Sequence, residues 1–273
     1  MVKYFVSDID NTLFDHQKGI HPKAIKHLKQ LQKEGMILIL ASGRTIQAME
    51  GVAKILELHR YGGYLIGSNG TVIRKAEDDK PFFNHVHKLE DLKRYCQTAL
   101  DLGLHFSYEQ NGILYYTHCD PSVLYEQKHC EMTIQAFRDP IAELVEESSK
   151  LCIHLSDKDS SDPMDQFIER FKQEAKCERF HPRYMDVMPF GHSKLTGLQE
   201  ILKREHADLS MVAAIGDGDN DLDLLAHAGF SAAVANAKKN VLECVDVIVA
   251  EGALGGVADF AKLVKQLNQS TLP

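Results

Sequence analysis

Apolar and polar positions along the chain fall into two alternating kinds of stretch. Three aliphatic runs, Tyr4 to Ile9, Ile37 to Ala41 and Met211 to Ile215, each end in a small or acidic residue and lead into a segment with helical periodicity. Uninterrupted apolar runs of this length suit strands buried on both faces, as in a parallel sheet. The helical segments that follow are Pro22 to Lys33, with Ile25, Leu28 and Leu31 in phase, then Thr45 to Leu58, and Leu222 to His227. Strand and helix in alternation predict a doubly wound parallel α/β core.

The middle of the chain reads differently from about Asp78-Asp79-Lys80-Pro81 onward. Phe82 to His87 comes first, followed by a helix from Leu89 to Leu102 closed by Gly103. Asn111-Gly112 then stands between Leu104 to Tyr108 and Ile113 to Thr117, which is a hairpin signal. Beyond it the pattern predicts a helix at Pro140 to Ser148, a strand at Leu151 to Leu155, a polar turn at Asp157 to Pro163, a helix at Met164 to Ala175 and a strand at Tyr184 to Met188. The parallel-sheet format resumes after Pro189. The simplest arrangement is an α+β insert in a core built from both ends of the chain, with boundaries 1–80, 81–188 and 189–273.

Composition narrows the partners. The 273 residues are 44% apolar and 26% charged, enough for a real core, and the formal net charge of −8 disfavours nucleic acid and anionic membrane. The longest aliphatic run, Met36 to Ala41, is far below the ~20 residues that span a bilayer. The N-terminus is expected to be too polar and too brief for a signal peptide, since Asp8 and Asp10 come soon after Met1 to Val6. Six dispersed cysteines without a C-x-x-C pair suit free thiols in a reducing compartment, so a cytoplasmic protein is expected.

Four segments carry candidate chemistry. Ser7-Asp8-Ile9-Asp10-Asn11-Thr12-Leu13 lies at the carboxyl end of the first strand, where open α/β sheets bind ligands. If the strand continues, Asp8 and Asp10 share a face, and two carboxylates ~4 Å apart repel by about 4 kcal/mol at an effective dielectric of 20. Gly216-Asp217-Gly218-Asp219-Asn220-Asp221 follows the third strand. It imitates a calcium loop, but Leu222 and Ala228 stand where that loop needs glycine and glutamate. Asp8, Asp10 and Asp217 converge if the first and third strands are neighbours, and oxygen-only ligation favours magnesium. Ala41-Ser42-Gly43-Arg44 offers a hydroxyl and backbone amides as an anion cradle, or Ser42 simply caps the next helix. In Gly191-His192-Ser193-Lys194 a cation opens a helix against its dipole, which calls for a nearby anion. Together these parts describe phosphoryl chemistry, and no P-loop or dinucleotide fingerprint competes with it.

In the order SDIDNTL, ASGR, GHSK and GDGDND, these segments resemble the motifs of haloacid dehalogenase superfamily phosphatases, specifically the Cof-like group with a type IIB cap domain. The resemblance extends over Gly67 to Gly70, Val234 to Ala237 and Gly255 to Ala258. It implies Asp8 as the nucleophile that becomes an aspartyl phosphate, and Asp10 as general acid and then base. It implies magnesium held by Asp8, the Asp10 backbone and Asp217, with Asp221 behind them as an acceptor for metal-bound water. Ser42, Gly43, Lys194 and Asn220 would hold the phosphoryl oxygens. Asn11 and Leu195 stand where the family commonly has glycine. His85, His87, His105, Tyr108, Tyr115 and His118 of the insert are either pocket residues or ordinary packing, and His192 adjoins the motif lysine.

The expected function is a magnesium-dependent phosphatase acting on small phosphorylated metabolites, sugar phosphates first among them, as a monomer or small homo-oligomer. A phosphohexomutase-type phosphotransferase and a non-catalytic sensor that binds a phosphorylated ligand are the rivals.

Overall fold

The structure is a computed structural model that describes residues 1–155 and 162–270. The chain divides into two compact units, one formed by 1–83 with 192–273 and the other by 84–191.

The first unit is built on an eight-stranded sheet. Its strands run in the order Val247–Val249, Phe230–Val234, Val212–Gly216, Tyr4–Ser7, Ile37–Ala41, Tyr64–Gly67, Val72–Lys75, Phe83–Asn84. Pairing is parallel from the first of these through Tyr64–Gly67, and Val72–Lys75 then pairs antiparallel. Successive residues of the Tyr4–Ser7 strand feed opposite faces. Phe5 packs with Leu28, Val52 and Phe260 on one side, whereas Tyr4 and Val6 pack with Leu198, Ile201 and Leu225 on the other. The sheet is therefore covered on both faces, which is why its strands are apolar without alternation. Three of the expected helices form as Pro22–Lys33, Ile46–Ile55 and Leu222–His227, and the doubly wound α/β core is the observed one. Among the described residues, no helix is long and apolar enough to cross a membrane.

The second unit is a six-stranded sheet in the order Thr133–Ala136, Ile113–Tyr116, His105–Gln110, Leu151–His154, Tyr184–Met188, Lys176–His181. All its pairings are antiparallel except that between Thr133–Ala136 and Ile113–Tyr116. Asn111 and Gly112 have φ of 52° and 71°, which is the conformation a two-residue hairpin of right-handed twist requires. Helices Leu89–Asp101 and Asp162–Phe171 supply Leu92, Tyr95, Phe167 and Phe171 to the core on one face. On the other face His154 joins strand to helix. Its Nδ1 lies 2.8 Å from Asp120, its Nε2 lies 3.0 Å from Ser107, and Asp120 also accepts from the amides of Ser122 and Val123 at the start of helix Pro121–His129. A carboxylate only accepts, so Nδ1 carries a proton and donates to Asp120. Burial alone would raise the Asp120 pKa, but these donors hold it down at about 2.

Pro140 to Ser148 is not a helix. Its backbone groups are claimed from the hairpin instead: the Glu143 carbonyl and the Val145 amide by the Gln110 side chain, and the Glu146 carbonyl by the Tyr108 hydroxyl. The turn expected at 157–163 lies outside the described residues up to 161, and its final two positions already belong to helix Asp162–Phe171. His87 is a core residue, stacked edge-on against Tyr95, and burial pushes its pKa down to about 4. Tyr108 is likewise buried in the core.

Candidate active site

Strand register assembles the site. Ser7 pairs with Ile215 on one side and Leu40 on the other, so the three strands end within one residue of one another. Asp8, Asp217 and Ser42, the first residues beyond these strands, leave the sheet along one carboxyl edge. The chain reverses direction of travel across the sheet there, and open α/β sheets bind ligands at such a point.

Asp8, Asp217 and Asp221 each place a carboxylate oxygen within 4.8 Å of the other two. Lys194 is fully buried and reaches into this cluster, its Nζ standing 2.5 Å from Asp8 Oδ1 and 2.7 Å from Asp221 Oδ1. The second oxygen of Asp221 accepts from the amides of Asp217 and Gly218, and Thr12 donates to Asp217 at 2.8 Å. A Cβ on Gly216 would lie 2.4 Å from the Asp221 carboxyl carbon, so only glycine lets that carboxylate fold back under the loop.

Three carboxylates face one ammonium, and two of them, Asp8 and Asp217, have raised pKa values. Burial raises the Asp8 pKa well above the usual carboxylate range, against the attraction of Lys194 and with the repulsion of Asp221 and Asp217. Asp217 is raised by burial and by Asp221. Burial alone would lower the pKa of Lys194, but Asp221 and Asp8 hold it above its ordinary value. The anion that a cation at this helix start calls for is thus supplied by the chain itself. The residual negative charge and the all-oxygen donor set fit a hard divalent cation.

Helix Lys194–Arg204 begins at the lysine despite Leu195 in the next position, because Ser193 and Thr196 cap it reciprocally and Leu195 is buried in the core. The turn Ser68–Gly70 is packed against this start. Gly70 has φ of +97°, and a Cβ there would lie 2.0 Å from the Ser193 carbonyl oxygen. Gly70→Ala is therefore expected to cost about 2–5 kcal/mol through strain and overpacking, read as a lowered urea midpoint.

Ser42 is buried, donates its amide to the Ile66 carbonyl and accepts at Oγ from the amide of Arg44. It does not cap the following helix, because Thr45 does so. Gly43 faces Asn69, where a Cβ would lie 3.5 Å from the amide group, and Asn69 Oδ1 accepts from Asn220 Nδ2 at 3.0 Å. Asn69 itself has φ of 51°.

Asp10 departs from the expectation that it shares a strand face with Asp8. The strand ends at Ser7, Asn11 takes a φ of 61°, and the Asp10 carboxylate turns to Arg44. Asp219 is exposed and pairs with Lys238 and Asn240, away from the cluster. Periodicity and spacing do not reveal Thr12, Arg44 or Asn69 as members of the site. Their only signal is membership of the motif segments or, for Asn69, the Gly67 to Gly70 stretch.

Residues 5–260 match the sequence profile of the haloacid dehalogenase-like hydrolases. A phosphoglycolate phosphatase of Methanopyrus kandleri is 29% identical over 98% of this chain and 100% of its own length. The crystal structure of a haloacid dehalogenase-like hydrolase from Bacteroides thetaiotaomicron superposes with a TM-score of 0.89 at 24% identity, covering 97% of this chain and all of the other. A sugar phosphatase of haloacid dehalogenase subclass IIB shares the fold with a TM-score of 0.79 at 18% identity, over 98% of this chain and 99% of its own. With the profile matched over nearly the whole chain, this protein is an enzyme of the haloacid dehalogenase-like hydrolase family.

Proposed function

We propose that the protein is a magnesium-dependent phosphatase of small phosphorylated metabolites, sugar phosphates among them, working through an aspartyl phosphate on Asp8. The observation that carries this reading is the convergence of Asp8, Asp217 and Asp221 on the buried Lys194 ammonium at the carboxyl edge of the sheet. Phosphate-ester hydrolysis asks for positioned charge more than elaborate covalent machinery, and this site concentrates charge. The names of the relatives, a phosphoglycolate phosphatase and a sugar phosphatase, support the substrate class.

In this reading Asp8 attacks phosphorus, the bond from phosphorus to the leaving oxygen breaks, and Asp10 protonates that oxygen. Asp10 then removes a proton from a water, which attacks the phosphoryl group and releases inorganic phosphate with Asp8 regenerated. Ser42, the Gly43 amide, Asn220 and Lys194 orient the phosphoryl oxygens. Asp8, Asp217 and the Asp10 backbone carbonyl would hold the metal ion, which when bound supplies positive charge beside the transferred group. Asp221 anchors Lys194 and the 217–218 turn behind them. The unit 84–191 would serve as the cap that selects the alcohol portion of the substrate, and the six free thiols suit a cytoplasmic setting.

The test is a panel of sugar phosphates and small acid phosphates assayed with and without magnesium. Release of inorganic phosphate that requires the ion supports the reading; an isomerised sugar phosphate would make the protein a mutase, and tight binding without turnover would make it a sensor. Magnesium at 100 times its dissociation constant is also expected to stabilise the fold by about 2.7 kcal/mol, and Asp217→Asn should erase most of the resulting thermal shift.

A further inference from the structure

Asp10 is gripped by a residue to which the phosphatase reading assigns no role. Arg44 donates from Nε to Asp10 Oδ2 at 2.8 Å and from Nη2 to Oδ1 at 2.6 Å. Its guanidinium carbon lies 5.2 Å from the centre of the Phe14 ring, and Nη1 reaches the Ala48 carbonyl at 3.4 Å. The Arg44 side chain is 5% exposed and that of Asp10 31%. The arginine is therefore the fixed member of the pair, held between helix Ile46–Ile55 and the Phe14–Asp15 strand, and the aspartate is the one that is held. A half-open carboxylate on a turn has several staggered rotamers to choose from, and two parallel bonds from a planar fork select one position and one plane.

Arg44 also follows Ser42 and Gly43 directly. That short loop is pinned by the Ser42 amide on Ile66, by the Ser42 carbonyl receiving the Asn69 amide, and by the Arg44 carbonyl receiving the Ser68 amide. Anion cradle and carboxylate clamp are thus one rigid piece of backbone. A carboxylate oxygen has two lone pairs and each bond from Arg44 takes one, so the clamp itself does not bar proton exchange at Asp10.

We propose that Arg44 is a positioning residue which aims the Asp10 carboxyl group at the leaving oxygen, and so sets how well the enzyme cleaves esters whose leaving group must be protonated. The inference rests on the reading of Asp10 as the proton donor. As the bond from phosphorus to the leaving oxygen breaks, its electron pair stays on that oxygen, the Asp10 proton moves to it, and Asp8 takes the phosphoryl group. An alkoxide cannot depart without that proton, whereas a dinitrophenolate can.

The experiment compares kcat/KM for glycerol phosphate and for 2,4-dinitrophenyl phosphate, because this ratio reports steps up to leaving-group departure. Arg44→Gln is expected to lower the value for glycerol phosphate at least about tenfold more than that for the dinitrophenyl ester. Asp10→Asn should show the same bias at about 10²- to 10⁴-fold, the usual range for a general acid. Adding Arg44→Gln to Asp10→Asn should not increase the bias. Arg44→Lys, which keeps the charge but not the fork, guards against a folding defect and should show the bias in the same direction. Equal losses on both esters, or a gain on glycerol phosphate, overturn the proposal. A wild-type protein that hydrolyses neither ester, or an Asp8→Asn variant that still does, would instead overturn the phosphatase reading beneath it.

Discussion

Asp8→Asn is expected to abolish phosphate release, by at least about 10⁴-fold, in a protein that without metal is no less stable than the wild type. The activity follows from the proposed role, because the amide cannot form the phosphoryl-enzyme bond. The stability follows from electrostatics. Asp8 is buried, and the cost of burying its charge outweighs the attraction of Lys194, with Asp221 and Asp217 adding repulsion, so its pKa is raised. A carboxyl group raised in the folded state binds more protons there than in the unfolded chain. Metal-free wild type therefore loses stability as pH climbs from the ordinary carboxylate range through the raised one. The asparagine variant should show a flatter dependence, measured by urea unfolding in chelator across pH 4 to 8. Retained turnover would remove Asp8 as nucleophile; a marked drop in stability at neutral pH would mean that its attraction to Lys194 outweighs burial and repulsion.

Lys194→Met is expected to do the opposite to the fold. Lys194 is fully buried and is the counter-charge to Asp8 and Asp221, which are themselves buried. Removing one member of a buried ionic cluster strands the others, typically at about 3–5 kcal/mol. Methionine matches the length of the lysine stem, so the cost reflects lost charge rather than a cavity. Urea unfolding in chelator reads it, and a loss under about 1 kcal/mol would show that the two carboxylates relax by taking up protons. Activity should vanish in either case. Excess magnesium should recover part of the stability, since a divalent ion supplies charge where the ammonium was lost.

The core was legible in the sequence because its strands are buried on both faces. Tyr4–Ser7, Ile37–Ala41 and Val212–Gly216 need no alternation and stand out as aliphatic runs. The insert was harder. Pro140 to Ser148 has helical spacing, yet the polar side chains of Gln110 and Tyr108 outcompete the helix for its backbone. Helix Pro121–His129 did carry a readable start, Asp120 followed by proline at the first helical position, but its interior has little apolar periodicity. Strand Thr133–Ala136 is mostly exposed and has no pattern to read.

The site divides in the same way. Its motif residues are legible because they sit where apolar runs stop. The pairs that hold them are not: Arg44 with Asp10, Thr12 with Asp217 and Asn69 with Asn220 lie 34, 205 and 151 positions apart. Register and loop conformation decide those meetings, and no local pattern encodes them.

The central strand of the sheet has a further consequence for biosynthesis. Tyr4–Ser7 hydrogen-bonds on one side to Val212–Gly216, made about two hundred residues later. At ribosomal rates of about 5–20 residues per second, that flank of the nascent chain waits roughly 10–40 s for its neighbour. Until then it offers an unpaired β-edge to whatever is near, so early holdase binding to the emerging polypeptide would protect the yield of native enzyme.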